Sequence, residues 1–253
     1  MLKHTLILAV LAGMVSPALA AATPYADKVY SYTLGAGGGF GLSSLPGNVS
    51  GPPDFNFREF RRDVLASQVF SLGIGGVVIV EFTDNLIADG PGVDFTVFEN
   101  GLIDLRNGRT FYEGAEVFVS ADGTGFFDLG YAEGKMTGLI YNAIYDDPSF
   151  NPLNPAVSGG DSFDIAFDRY GLSTGLTTVK YVRLVDDGDG APDGSGCAGF
   201  DLDAIAAVHS APEPSTFLVV GASSCGILVM AKKAARRATL AREKMNLSTG
   251  GLQ

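Results

Sequence analysis

The chain has no tryptophan, two cysteines and two histidines in 253 residues, and each shortage removes a class of chemistry. Cys225 falls in an apolar segment near the C-terminus, which leaves Cys197 alone in the body of the protein. An intradomain disulfide is therefore excluded, and core burial must hold the fold. His4 belongs to the extreme N-terminus and His209 borders a proline-rich stretch, so no histidine is placed to serve a Ser or Cys nucleophile. HExxH, G-x-S-x-G and P-loop patterns are missing as well. Cations are scarce too: between residues 21 and 211, 10 Lys or Arg stand against 26 Asp or Glu, a charge of −16. Such a body is repelled by a phosphate backbone, so nucleic acid is excluded as a partner. The expectation is a non-enzymatic module. A glycoside hydrolase is the catalytic alternative, because that chemistry needs only an acidic pair at suitable separation.

The two ends carry targeting signals. Lys3 and His4 precede an apolar run from Thr5 to Val15, Ser16-Pro17 breaks it, and Ala18-Leu19-Ala20 places small residues where signal peptidase cuts. The run is shorter than the ~20 residues of a spanning helix, so residues 1–20 read as a cleaved signal peptide. Near the other end, residues 217–231 form an apolar segment without a polar stripe, followed by Lys232, Lys233, Arg236, Arg237, Arg242 and Lys244. An all-round apolar helix is either core or membrane, and flanking cations stay on the cytoplasmic side. The expected order is a signal peptide (1–20), an ectodomain (21–209), a linker (210–216), an inner-membrane helix (217–231) and a basic cytoplasmic tail (232–253). Two prolines, Pro212 and Pro214, stiffen the linker and end the last strand.

Within the ectodomain, strand signals dominate. Gly76 to Phe82 is a continuous apolar run of strand length. Residues 94–99, 115–120 and 179–185 are rich in β-branched and aromatic side chains, and 203–209 supplies a closing strand. Gly/Pro/Asp-rich connections separate them at 35–41, 46–54, 89–92, 122–123 and 186–199. One short helix is expected over 162–170. Many short strands with long loops predict an all-β antiparallel sandwich of jelly-roll type.

Acidic loops supply the candidate metal ligands. Residues 186–194 pack four Asp into a Gly-rich loop, the oxygen-rich setting hard cations favour, although Ala191 and Ala198 break the EF-hand pattern. Asp161 with Asp164 and Asp201 with Asp203 follow Gly-rich turns, and in an extended segment Asp201 and Asp203 share a face. The candidate ligands of a structural Ca²⁺ are therefore Asp161, Asp164, Asp187, Asp189, Asp201 and Asp203. The competing use of these residues is to bond loop amides. Tyr112, Phe126, Phe127, Tyr131, Tyr141 and Tyr145 lie in or near loops, where rings stack on sugars or pack beneath the loops. Asn48-Val49-Ser50 matches a glycosylation sequon.

Pro212-Glu213-Pro214-Ser215-Thr216, the apolar segment and the basic cluster together resemble the PEP-CTERM sorting signal. That resemblance implies Pro212, Glu213 and Pro214 as the recognition motif, with processing by exosortase in a Gram-negative bacterium that makes exopolysaccharide. The ectodomain also resembles bacterial cell surface proteins that carry such tails, through residues 71–76, 89–100, 159–164 and 199–204. This second resemblance implies a galactose-binding-like, discoidin-like β-sandwich without a settled activity. The functional expectation is an exported surface or matrix protein that binds glycan or another extracellular partner.

Overall fold

The computed structural model describes residues 22–53, 65–100, 102–104, 109–111, 113–133, 151–188 and 198–213. The expected signal peptide, membrane segment and basic tail lie outside the described residues, as do Cys197, Asp189, Pro214, Tyr112, Tyr141 and Tyr145. Among the described residues no helix is long and apolar enough to cross a membrane.

The first seven strands are β1 (Lys28–Thr33), β2 (Phe70–Ser71), β3 (Val77–Glu81), β4 (Asn85–Ala88), β5 (Phe95–Glu99), β6 (Leu102–Asp104) and β7 (Arg109–Phe111). The second seven are β8 (Ala115–Ser120), β9 (Phe127–Ala132), β10 (Asp161–Phe163), β11 (Thr178–Val179), β12 (Tyr181–Asp186), β13 (Asp201–Ala207) and β14 (Ser210–Pro212). They form a five-stranded sheet β1-β3-β12-β8-β9 and a four-stranded sheet β10-β5-β13-β2, with smaller sheets β11-β4-β14 and β6-β7. The protein is an antiparallel β-sandwich. Val78, Val80, Val117, Val119, Val182 and Leu184 of the first sheet share one buried core with Phe70, Leu72, Phe95, Val97, Leu202 and Ile205 of the second. Each such side chain contributes roughly 1.5–3 kcal/mol through burial.

The two sheets differ on their outer faces. Strand β12 alternates cleanly, with Val182, Leu184 and Asp186 buried and Tyr181, Arg183 and Val185 half-buried. That pattern is what one solvent-facing side produces. Strand β13 is buried from Leu202 to Ala207. Its second face holds a smaller cluster of Phe98, Ala204 and Ala206, covered by Tyr25 and Leu153.

The glycine-rich loop 35–41 lies against β2 and its continuation. Gly35 N donates to Leu72 O at 2.9 Å and Gly39 N to Ser71 O at 2.9 Å. Gly73 has φ of +80°, and a Cβ there would stand 2.6 Å from both Gly35 O and Gly38 N. Only glycine suits that close, left-handed approach.

Two expectations change. The helix over 162–170 does not form: β10 ends at Phe163, and turns follow it. Asp164 Oδ1 accepts from Ala166 N at 2.8 Å, and Asp168 Oδ1 accepts from Tyr170 N and Leu172 N at 2.9 Å. Aspartate side chains thus take the amides that a helical ladder would have used. At the exit, Ser210–Pro212, expected to be linker, pairs as β14 with β4. Pro212 is the last residue of that strand, where a missing donor costs least.

Candidate functional sites

One end of the four-stranded sheet gathers acids. Glu99 closes β5, Asp161 opens β10, and Asp201 and Asp203 lie on β13, whose register shifts between Leu202 and Ala204. Glu113 joins them, its Oε1 accepting from Gly199 N at 3.0 Å, two residues before Asp201. Glu99 Oε2 is closed to solvent and has no hydrogen-bond partner among the described residues. Burial, and then the charges of Asp201, Glu113, Asp161 and Asp203, raise the Glu99 carboxyl well above its ordinary range. Burial likewise pushes Asp201 up to about 7, opposed by the Ser71 hydrogen bond and assisted by Glu113. Like charges crowded away from water favour the neutral acid unless a cation joins them.

Strand register lays a polar row across the same sheet end. Asp201 pairs with Ser71, whose hydroxyl donates to Asp201 Oδ1. Leu202 pairs with Glu99, which sets Asn100 beside Asp201, and Asn100 N donates to Asp201 O at 3.0 Å. On the far side Asp161 pairs with Val97, so the antiparallel run carries Ser158 toward Asn100. Asn100 is 3% exposed and Ser158 is fully buried. Neither the Asn100 amide atoms nor Ser158 Oγ has a hydrogen-bond partner among the described residues.

A second acidic group has a different character. One carboxylate oxygen each from Asp89, Asp94 and Asp164 lie within 4.8 Å of one another. Asp94, however, is fully engaged. Its Oδ1 takes Gly90 N at 2.8 Å and faces His209 Nδ1 at 3.0 Å, and its Oδ2 takes Ile165 N at 2.8 Å. These bonds lock two loops and the start of β14 together, which accounts for the group without an ion.

Of the six sequence-selected aspartates, the structure therefore brings Asp161, Asp201 and Asp203 to one sheet end and places Asp164 with Asp89 and Asp94. Asp187 is half-buried and bonds through its amide to Gly114 O at 3.1 Å. Its neighbour Asp186 is the buried one, accepting from Gly75 N, Gly188 N and Phe200 N at 2.7, 3.0 and 2.8 Å. Glu99, Asn100, Glu113 and Ser158 escaped selection. Strand β5 is buried on both faces from Phe95 to Phe98, so no alternation singled out Glu99, and nothing local marked the others.

The outer face of the five-stranded sheet is aromatic. The Arg183 guanidinium sits 4.1 Å from the Phe118 ring centroid and 4.4 Å from that of Phe126. Burial in this sandwich lowers the Arg183 pKa. Its Nε is buried with no hydrogen-bond partner among the described residues. Tyr30, 52% exposed, meets Tyr181 edge-on at 5.1 Å. Glu81 lies between Lys28 at 2.9 Å and Lys180 at 3.5 Å. Tyr131 and Phe127 are exposed on the neighbouring strand β9.

Two further motifs find their places. Asn48 of the sequon is buried, and its Nδ2 donates to Gly41 O, Ala66 O and Val69 O at 3.0, 3.2 and 2.6 Å, so this amide is a structural donor. Glu213, between Pro212 and Pro214 in sequence, is held by Lys180 at 2.7 Å. Comparison with protein families and with curated proteins finds no match for this chain.

Proposed function

We propose that the chain is an exported cell-surface or matrix protein, sorted by exosortase through its C-terminal tail, whose sandwich binds glycan without catalysis. The export and sorting parts rest on the signal-peptide pattern, the Pro212-Glu213-Pro214 motif, the apolar segment and the basic cluster. The jelly-roll, galactose-binding-like form of the sandwich is part of the same reading, and its support is the resemblance in residues 71–76, 89–100, 159–164 and 199–204.

The observation that carries the binding role is the outer aromatic face. Tyr30 and Tyr181 offer ring surface on the same sheet face as the Arg183 stack on Phe118 and Phe126, and the Tyr30 hydroxyl adds a hydrogen-bonding edge. A sugar presents C–H faces and hydroxyl rims, so it needs this mixture of apolar plates and directional polar groups. The sheet's other face is core, which keeps the plates rigid.

The test is co-sedimentation of the detergent-purified full-length protein with the exopolysaccharide of the producing cell. Retention is expected, with Tyr30→Ala and Arg183→Ala each lowering it by roughly tenfold, the worth of one or two stacking contacts of about 1 kcal/mol. Absence of retention for the unaltered protein eliminates the glycan role and leaves a structural interaction module. Cleavage of a panel of chromogenic glycosides would instead establish the hydrolase alternative.

A further inference from the structure

The outer face of the five-stranded sheet forms a continuous floor. Strand pairing lines up Ser31, Ile79, Arg183, Phe118 and Asp128 in one row across β1, β3, β12, β8 and β9. Strands stand about 4.8 Å apart, so five of them span roughly 19 Å. An exposed ring marks each margin. On β1, Tyr30 stands against Tyr181, and the Lys28 ammonium is 5.8 Å from the Tyr30 centroid. Beyond β9, Tyr170 is 76% exposed, and the Arg169 guanidinium is 5.8 Å from its centroid.

The turn that carries Tyr170 is fastened to this floor. Asp168 N donates to Leu172 O at 2.8 Å, which adds to the two amide bonds its carboxylate accepts. Arg169 N donates to Asp128 O at 2.8 Å, and its guanidinium donates to Asp128 Oδ2 at 2.9 Å. A ring already held in place loses little further freedom when a ligand stacks on it.

Charge on this face is matched. Lys28, Lys180 and Arg169 pair with Glu81, Glu213, Asp128 and Glu116, and Arg183 lies between two phenyl rings. Four cations and four carboxylates therefore meet here, whereas residues 21–211 together carry −16. A balanced face on an acidic body suits a ligand without charge, because the body as a whole repels polyanions.

The geometry points to an uncharged polysaccharide, gripped along an internal stretch of its chain, as the ligand class of this face, an inference that rests on the glycan reading above. A chain end would call for a closed pocket, whereas an open sheet face with a ring at each margin lets a polymer pass across. Stacking at one margin makes the second contact intramolecular, so affinity grows with the length of chain that reaches both.

The experiment uses the detergent-purified full-length protein and the exopolysaccharide of the producing cell, divided by anion exchange into neutral and acidic fractions. Co-sedimentation should retain the neutral fraction. Sized fragments of that fraction, measured by equilibrium dialysis, should bind more tightly with length until they span roughly 19 Å, and no more tightly beyond it. Tyr170→Ala should lower the affinity of long fragments by about tenfold and leave that of the shortest fragments unchanged. Tyr170→Phe, which keeps the ring, should bind long fragments as the unaltered protein does. An unchanged melting temperature for Tyr170→Ala is expected, because the side chain is exposed. Affinity that does not depend on length, full binding of long fragments by Tyr170→Ala, or retention of the acidic fraction alone overturns the inference and leaves the glycan reading standing. Retention of neither fraction overturns both.

Discussion

At the scale of single residues, the consequential feature is a carboxyl group kept from water. Asp201, ordinarily titrating near 3.8, is pushed up to about 7 by burial. Between those values the folded protein holds a proton that the unfolded chain has released. Folding is therefore favoured at the acidic end of the window. Stability should fall as pH rises from about 4 to about 7, then level off, at roughly 1.4 kcal/mol per unit where the slope is steepest. Glu99 shifts in the same direction and steepens the trend. Urea midpoints at about pH 5 and pH 7, with chelator present, check this sign. The Asp201→Asn protein should show a flatter profile, because its side chain does not titrate. A midpoint that rises toward neutrality in the unaltered protein would show that the carboxyl is solvated or neutralised by another group.

At the scale of elements, the tightest constraint is the contact between loop 35–41 and the turn after β2. Gly73→Ala combines a left-handed backbone with a methyl group 2.6 Å from two backbone atoms. The expected loss is roughly 2–5 kcal/mol, measured by denaturant unfolding. Gly92→Ala has a positive φ but open space around it, and should lose about 1–2 kcal/mol, from backbone strain alone. Elements of this fold were legible where burial has a period. The runs at 76–82, 94–99 and 115–120 became β3, β5 and β8 because alternation or continuous apolarity depends only on which faces are covered. The stretch 162–170 was misread because aspartate side chains compete with helical hydrogen bonding, a contest decided by local geometry. The acidic sheet end was half legible. Asp161, Asp201 and Asp203 are visible as acids near glycines, whereas Asn100 and Ser158 acquire meaning only through pairings between β5, β10 and β13. Those pairings join residues 64 to 112 positions apart, and no short-range pattern encodes them.

At the scale of the whole molecule, the exit of the sandwich and the proposed sorting motif share residues. Strand β14 ends at Pro212, and Glu213 is already fixed to Lys180, a residue that also reaches Glu81. The Glu213 hydrogen bond is the main reason that the Lys180 ammonium is held above its usual range. Under the proposed sorting by exosortase at Pro212-Glu213-Pro214, the enzyme must first draw this edge strand and its glutamate away from the domain. Lys180→Ala removes the clamp. A part-buried pair of this kind is worth about 1 kcal/mol, and that energy corresponds to roughly a fivefold change in the open fraction. The Lys180→Ala protein should therefore be processed several times faster in the producing cell, read as the ratio of precursor to mature intact mass after a pulse. Lys28→Ala provides the control, because it removes a cation from the same Glu81 without touching Glu213. Equal processing of the two variants would mean that the docked glutamate does not limit access. Faster processing of Lys180→Ala alone ties the rate of the proposed processing to the edge of the sheet.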